Sequence, residues 1–271
     1  MTTPESRPSA IARLGAFLDR RGGIVVPLAA VALWALSVGI SGDRGPGSGP
    51  LPAFHEIEQV AEKKQEFFDY LTPIVRAEND RIRAQRARLL EIVDANAEGD
   101  PPGWQDRRFL EELAEYARLD TEALTLEELL EELNKRIDVI PRSLVLVQAA
   151  KESGWGSSRF ARRANNLFGQ WCYDPGCGMV PQNRSAGRTH EVRSFDSVRE
   201  AVTSYVRNLN THPSYAGLRE VRADLRRNDK SLSGVRLAEG LRKYSERGEV
   251  YVREVQSMIR QNDLEQSVSG T

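Results

Sequence analysis

Several features that would mark a particular class of protein are scarce in this sequence. The 271 residues include two cysteines and three histidines, and the formal net charge is only −1. His55, His190 and His212 are scattered, and a metal site needs more ligands than the cysteine pair supplies. The chain has no long basic run, so it lacks the positive field that drives nonspecific binding to nucleic acid. We therefore expect no metal, no other cofactor and no nucleic-acid partner.

One long apolar run is present, and it lies near the N-terminus. Residues 22–40 are uncharged, and a helix of that length measures about 28 Å, enough to span a bilayer. Arg7, Arg13, Arg20 and Arg21 precede the run, so the positive-inside rule keeps residues 1–21 in the cytoplasm. We expect an uncleaved single-pass signal anchor, with the rest of the chain exported across the membrane. A signal peptide cleaved near 35–37 is the rival interpretation, and a core helix of a soluble protein is the third.

The remaining sequence divides into a linker and a helical region. Residues 41–52 are rich in glycine, proline and serine and read as a linker. Apolar residues at helical spacing follow from 54 to 96, where we expect an antiparallel helix pair because Pro73 should break or kink a single helix. The basic cluster at 81–88 is expected to be a solvated face. We assign 53–137 to a helical extension, 138–264 to the main domain and 265–271 to a tail.

Capping signals place further helices. Thr125 and Glu128 have capping-box spacing, as do Ser197 and Glu200. Pro141 suits the first turn of an apolar helix that Gly154 ends, and this helix is expected to be central in the core. A short β-hairpin is predicted around 185–187, followed by helices at 197–211, 213–227 and 235–260, the last with a break at Gly248. The pattern predicts a mainly α-helical domain with one small hairpin.

Glu152 is the unusual residue of the central helix, because an acid in a last turn meets the negative end of the helix dipole. Leu144 and Gln148 lie on the same face at spacings of four, so Glu152 continues the inward stripe. A partly desolvated carboxylate has a raised pKa, and a general acid needs one. Lys151 is expected to point to solvent. The alternative is a surface acid on a frayed helix end.

The residues after Glu152 favour a sugar-binding site. Gly154 and Gly156 allow a sharp turn, and Trp155 offers an apolar face of the kind that packs on sugar rings. The stretch "NNLFGQW" then supplies amides and aromatic surface, suited to a glycan with acetamido groups. The residues we expect to bind substrate are Trp155, Asn166, Phe168, Gly169, Gln170 and Trp171, although Phe168 fits a core position equally well.

The motifs "AAKESGWGSSRFARRANNLFGQW", "SVREAVTSYVRNLNTHPSYAGLR" and "LAEGLRKYSERGEVYVREVQSMI" resemble the glucosaminidase family of peptidoglycan hydrolases, glycoside hydrolase family 73. Within that family the sequence is similar to the bacterial Bax-type proteins over about 53–264, whereas the wider family matches only about 138–262. The resemblance implies a lysozyme-like fold and hydrolysis of the β-1,4 bond between N-acetylglucosamine and N-acetylmuramic acid. It also implies that Glu152 is the general acid and that Tyr244 lies in the cleft.

The second catalytic group is less defined, because most glycoside hydrolases use a pair of carboxylates. The family often carries a glutamate late in the first hairpin strand, and "GMVPQNR" has no acid. Glu191 is the first candidate, with Asp174 and Asp196 behind it, and a surface strand residue is the alternative for Glu191. A substrate-assisted route would need no second acid, and Tyr244 could then orient the acetamido group, unless it is a core tyrosine.

The two cysteines, Cys172 and Cys177, enclose the turn-forming stretch "YDPG". In an exported protein such a pair is expected to form a disulfide, and a reduced pair is the alternative.

The sequence thus predicts a membrane-anchored endo-β-N-acetylglucosaminidase that acts on peptidoglycan glycan strands. Two rivals stay open: a lytic transglycosylase, which leaves 1,6-anhydro ends, and a non-catalytic glycan-binding module of the cell envelope.

Overall fold

The structure is a computed structural model that describes residues 45–182, 184 and 187–265. The predicted cytoplasmic segment, the predicted anchor at 22–40 and nearly all of the predicted tail lie outside the described residues. Within the described part of the chain, no helix combines the length and the apolar character needed to cross a membrane.

The extension begins with one long helix and not with the predicted helix pair. After a short 3-10 turn at Phe54–Glu56, helix α1 runs from Val60 to Ala97 and passes through Pro73 without interruption. A proline inside a helix costs about 3 kcal/mol. Leu71, Ile74 and Val75 beside it are fully buried, and each contributes about 1.5–3 kcal/mol. The burial on both sides of Pro73 therefore outweighs the lost backbone hydrogen bond.

Helices α2 (Trp104–Ala117) and α3 (Leu126–Arg136) pack on the second half of α1 and form a small core of their own. The predicted capping box at the start of α3 is confirmed: the Thr125 hydroxyl accepts from the Glu128 amide, and the Glu128 carboxylate accepts from the Thr125 amide. The expectation of a solvated basic face is wrong for Arg86. Its side chain is only 15% exposed, and its guanidinium donates to the carbonyls of Asn134 and Ile137.

Helix α4 (Arg142–Ser153) is the central helix of the main core, as predicted from its apolar sequence. Its residues from Ser143 to Ala150 are all buried. The side-chain amide of Asn79 on α1 bonds both backbone groups of Ile140, just before α4, with distances of 2.9 and 3.3 Å. The extension is thus joined to the start of the central helix by buried polar contacts as well as by apolar packing.

A short helix α5 (Arg159–Ala164) leads to a three-stranded antiparallel sheet made of β1 (Trp171–Cys172), β2 (Gly178–Met179) and β3 (Glu191–Arg193). The strand order is β1-β3-β2, so the predicted hairpin is the β2–β3 pair. Strand β1 was not predicted. It pairs with β3 through Trp171 opposite Val192 and Cys172 opposite Glu191, and the predicted disulfide between Cys172 and Cys177 closes the loop between β1 and β2.

The chain ends in helices that enclose α4: α6 (Val198–Thr211), α7 (Ala216–Arg227), α8 (Gly234–Leu237) and α9 (Glu249–Gln261). Ser197 caps α6 as predicted, but the Glu200 carboxylate bonds the amide of Asp196 instead of completing the box. The break at Gly248 is confirmed by its φ of 50°. The predicted helix before that break is shorter than expected, since a 3-10 turn at Ala238–Leu241 follows α8. The mainly helical class is confirmed.

Candidate active site

Glu152 lies in the last turn of α4, one residue before the helix ends at Ser153. The helix closes with a Schellman arrangement: Gly154 adopts a left-handed conformation, and the amides of Gly154 and Trp155 both donate to the carbonyl of Ala150. This cap satisfies a terminal carbonyl and fixes the point at which the chain leaves the helix. The position of Glu152 at the edge of the core follows from it.

The turn after Glu152 contains three consecutive residues in the left-handed region, with φ values of 57°, 58° and 73° for Gly154, Trp155 and Gly156. For a residue with a side chain, such as Trp155, this conformation costs about 1–2 kcal/mol. A Cβ added at Gly156 would stand 2.6 Å from Cδ2 of Phe54, so the turn and the extension are in direct contact. The glycines of "SGWG" are therefore required for both turn geometry and packing.

Trp155 packs on the extension, and this differs from the expectation of an open sugar-binding face. Its ring meets Phe67 and Phe68 edge to face, with centroid distances of 5.9 and 5.2 Å, and the Lys64 ammonium lies 5.1 Å from its centroid. The left-handed φ turns the indole towards α1. Trp155 thus braces the turn that follows Glu152, and its role in binding substrate stays a prediction.

A chain of hydrogen bonds connects Glu152 to the buried core. The hydroxyl of Tyr251 on α9 donates to Oε1 of Glu152 at 2.8 Å. The side-chain amide of Gln148 donates to the Tyr251 oxygen at 2.9 Å, and the Tyr205 hydroxyl donates to the Gln148 carbonyl oxygen. Because Gln148 presents an N–H to Tyr251, the phenolic proton of Tyr251 has to point towards Glu152. The polar groups of this path are all oriented by their neighbours.

Burial raises the pKa of the Glu152 carboxyl above its ordinary value, opposed by the Tyr251 hydrogen bond and by the positive charge of Lys151. Desolvation penalises the charged carboxylate, whereas a donor and a nearby cation favour it. The prediction that Lys151 points to solvent is wrong: its side chain is only 21% exposed, and its ammonium pairs with the Glu254 carboxylate at 2.6 Å. Lys151 is therefore held beside the acid that it influences.

Further tyrosines surround the carboxylate. The ring of Tyr244 stacks on Tyr251 with centroids 5.4 Å apart, and its hydroxyl donates to the Phe168 carbonyl at 3.0 Å. The ring centroid of Tyr215 lies 6.0 Å from that of Tyr244. Burial, together with the negative charge of Glu152, raises the pKa of the Tyr215 hydroxyl to about 12. The structure thus brings together the predicted Glu152, Tyr244 and Phe168.

Two of the predicted substrate-binding amides are occupied within the protein. Asn166 is buried, and its amide donates to the carbonyls of Gln170 and Arg193 while its oxygen accepts from the amides of Phe168 and Gln170. The Gln170 side chain bonds the Ala201 carbonyl and the Ser204 hydroxyl on α6. Both amides therefore hold the "NNLFGQW" turn in shape. Phe168 is buried and stacks on Tyr205, which is the core position that the sequence left open.

Exposed aromatic surface does occur directly after this turn. Gly169 is exposed with a φ of 65°, and Trp171 at the start of β1 is 55% exposed and stacks on His190 at 4.1 Å. Tyr173, which the sequence did not single out, is 68% exposed two residues later. Trp171 and Tyr173 thus provide the solvent-facing aromatic surface that was expected of Trp155.

Glu191 on β3 lies against the disulfide loop. One of its carboxylate oxygens accepts from the amide of Gly176 at 3.1 Å, and the other accepts from the amide of Gly178 at 2.9 Å. These backbone hydrogen bonds hold the pKa of Glu191 below its ordinary value. Its part in catalysis stays a prediction, but its carboxylate is engaged in shaping the loop between Cys172 and Cys177.

Tyr251 and Gln148 are the site residues to which sequence reasoning gave no role. Gln148 was noted only as a neighbour of Glu152 on one helix face, and Tyr251 has the spacing of a packing residue. The spacing of four places the polar side chain of Gln148 on the same helix face as Glu152, and this was the available signal. No comparable local signal exists for Tyr251, because it contacts Glu152 across 99 residues of sequence.

Comparisons with known proteins place the chain in one family. The family model of the glucosaminidases, described as mannosyl-glycoprotein endo-beta-N-acetylglucosaminidase, matches residues 127–264. "Protein bax" of Escherichia coli (strain K12) is 32% identical over 215 residues, which is 79% of this chain and 75% of that protein. No solved structure matches the chain. The chain therefore belongs to the glucosaminidase family and within it is a Bax-type protein.

Proposed function

We propose that this protein is a peptidoglycan hydrolase that cleaves the β-1,4 bond between N-acetylglucosamine and N-acetylmuramic acid. The observation that carries the proposal is the half-buried Glu152, whose raised pKa suits a general acid, at the edge of a tyrosine-lined core. Family membership supports a glycosidase of this kind.

The hydrogen-bond geometry assigns a role to each oxygen of Glu152. Oε1 accepts from Tyr251, so the proton of the neutral carboxyl resides on Oε2. Oε2 donates this proton to the glycosidic oxygen as the bond to the anomeric carbon breaks. Tyr251 then stabilises the carboxylate that remains, since its hydrogen bond is stronger to a charged acceptor. Tyr251 thus acts on both the acid and its conjugate base.

We assign substrate contacts to the exposed aromatic side chains of the sheet region. Trp171 and Tyr173 offer large apolar faces with polar edges, which suits stacking on a sugar ring. Tyr244 keeps the role predicted from the family, that of orienting an acetamido group or a water molecule. Its ring contact with Tyr251 supports a position near Glu152.

Both carboxylate oxygens of Glu191 accept backbone hydrogen bonds from the disulfide loop. This favours a mechanism in which Glu152 is the principal catalytic carboxyl group. One such route is substrate-assisted hydrolysis, in which the acetamido oxygen attacks the anomeric carbon. The same observation favours a second candidate function, lytic transglycosylation, in which the sugar's own hydroxyl closes a 1,6-anhydro ring. The two differ in their products, because hydrolysis adds water and leaves reducing ends.

We further propose that the protein acts in the periplasm, anchored in the inner membrane by residues 22–40. The arginines before that run and its uncharged character support the anchor. The disulfide between Cys172 and Cys177 supports an oxidising compartment.

The first prediction concerns the acid itself. Glu152→Gln should reduce the release of fragments from purified sacculi by about 100-fold or more, because a general acid contributes about 10²–10⁴ to the rate. The melting temperature should stay close to that of the wild type, since the amide oxygen still accepts from Tyr251. Glu246→Gln, at an exposed glutamate, is the matched control and should keep full activity. Undiminished hydrolysis by Glu152→Gln would refute the assignment.

The second prediction concerns pH. The Tyr251 hydrogen bond lowers the pKa of Glu152, so Tyr251→Phe should raise that pKa further. A general acid works only while protonated, and the basic limb of the pH profile of kcat/KM should therefore move to higher pH. The profile is measured with soluble glycan fragments. A limb that stays in place, or moves to lower pH, would contradict the role given to Tyr251.

The third prediction distinguishes two roles for Glu191: holding the disulfide loop through backbone hydrogen bonds, or acting as a catalytic carboxylate. Glu191→Gln replaces one accepting oxygen by a donor, so at least one amide of Gly176 and Gly178 loses its partner. We expect faster hydrogen exchange at these two amides, with kcat within about tenfold of wild type. A loss of kcat as large as that expected for Glu152→Gln, with unchanged amide protection, would restore Glu191 as the second catalytic group.

A further inference from the structure

A network of three charged side chains lies beside Glu152. The Glu254 carboxylate on α9 accepts from the Lys151 ammonium at 2.6 Å through Oε2, and its other oxygen, Oε1, pairs with the Arg247 guanidinium. The bonds to Lys151 and Arg247 hold the pKa of Glu254 below its ordinary value. Glu254 is therefore charged at neutral pH, and each of its oxygens has a cation of its own.

The geometry of α4 alone does not place the Lys151 ammonium near the acid. Consecutive residues of a helix do not face each other, so the Lys151 side chain leaves α4 in a different direction from that of Glu152. The ammonium nevertheless reaches α9, where it lies 5.6 Å from the ring centroid of Tyr251. Tyr251 is the residue whose hydroxyl donates to Glu152. A contact on α9 must therefore direct the Lys151 side chain to this place.

Glu254 supplies that contact. It follows Tyr251 by three residues, so the two side chains share one face of α9. A lysine has a flexible stem and loses conformational freedom when its ammonium is fixed. The bond of 2.6 Å to Glu254 selects one position of the ammonium, and Arg247 helps to orient the carboxylate through Oε1.

The other titratable groups that face Glu152 are neutral phenols. They come from α6, from α9 and from the segments that precede α7 and α9. Burial raises the pKa of all four, which are Tyr205, Tyr215, Tyr244 and Tyr251. Among the described residues, Lys151 is accordingly the cation whose charge acts on the Glu152 carboxyl. This charge favours the carboxylate and opposes the effect of burial.

We propose that Glu254 is a positioning residue: it fixes the Lys151 ammonium against Tyr251 and beside Glu152, where the charge stabilises the carboxylate that remains when Glu152 gives up its proton. That Glu152 gives up its proton in catalysis rests on the proposed function. A cation fixed at a half-buried site is screened less by water and salt than a mobile one in solvent. Glu254 thereby limits how far burial raises the pKa of Glu152.

The test measures the pKa of Glu152 in the full chain by carbon-13 NMR titration of the side-chain carboxyl groups, a readout that does not require activity. Glu254→Ala removes the acceptor of Lys151, so the pKa of Glu152 should rise. Lys151→Met should raise it as well, whereas Lys151→Arg keeps the charge and should leave it at the wild-type value. Glu112→Ala, at an exposed glutamate of α2 with an ion pair to Arg108, is the matched control and should change nothing.

The direction of the shift separates positioning from a direct effect of the Glu254 charge. Loss of that negative charge alone would lower the pKa of Glu152, because a nearby like charge raises it. A rise in Glu254→Ala therefore reports the release of Lys151, and the rise should vanish when Lys151→Met is also present. An unchanged or lowered pKa in Glu254→Ala, or an equal rise with and without Lys151, would overturn the proposal.

Activity gives a second readout, which a purely structural role of Glu254 would not move. Ion pairs at the surface contribute little to stability, so Glu254→Ala should fold normally. The basic limb of its pH profile of kcat/KM should move to higher pH, in parallel with the NMR titration, because Glu152 stays protonated to higher pH. A limb that stays in place in an active Glu254→Ala protein would overturn the positioning role.

The two proposals can fail separately. If Glu254→Ala raises the pKa of Glu152 while Glu152→Gln keeps full hydrolytic activity, the proposed function fails and the positioning of Lys151 stands. If Glu152→Gln abolishes hydrolysis while Glu254→Ala leaves the pKa of Glu152 unchanged, the proposed function stands and the role of Glu254 is refuted.

Discussion

The hydrogen bond from Tyr251 to Glu152 is the interaction on which the site depends. A carboxyl group at the edge of an apolar core is destabilised when charged, and without a partner it would be only a cost to folding. The hydrogen bond from Tyr251 to Oε1 reduces that cost and leaves Oε2 of Glu152 without a hydrogen bond from Tyr251. Gln148 and Tyr205, both buried, fix the direction of the donated proton. Buried residues of the core thus orient the hydrogen bond that influences the pKa of Glu152 at the edge of the core.

The extension contributes to the same site from the other side. The turn after Glu152 contains a tryptophan in a left-handed conformation, and such strain persists only where the surroundings hold it. Phe54 fills the space beside Gly156, while Phe67 and Phe68 flank Trp155. Helix α1, which carries Phe67 and Phe68, also bonds Ile140 at the start of α4 through Asn79. Both ends of the central helix therefore rest on the extension, which makes the extension part of the site's scaffold.

Local patterns in the sequence were sufficient to predict most of the helices, the capping box at Thr125, the break at Gly248 and the partly buried position of Glu152 at the end of the central helix. They failed where tertiary contacts outweigh local preference. Pro73 did not divide α1 because the residues around it are fully buried. Trp155 turned towards α1 because a positive φ, which a pattern of residue types does not reveal, redirects its side chain.

Long-range partners were likewise beyond the sequence. Asn166 has the chemistry of a sugar-binding amide, yet all its hydrogen bonds are made within the fold. Tyr251 has the spacing of a packing residue on α9, and only the approach of α9 to α4 brings its hydroxyl to Glu152. The sequence shows the chemical type of each side chain. Its hydrogen-bond partner, however, depends on which helices become neighbours in the fold.

The central claim is that the folded protein holds Glu152 in its neutral form closer to neutral pH than an ordinary glutamate. Carbon-13 NMR titration of the glutamate side-chain carboxyl groups, with Glu152 assigned from its missing signal in Glu152→Gln, measures this directly. The account predicts a pKa for Glu152 above the ordinary glutamate value. A pKa at or below that value would contradict it.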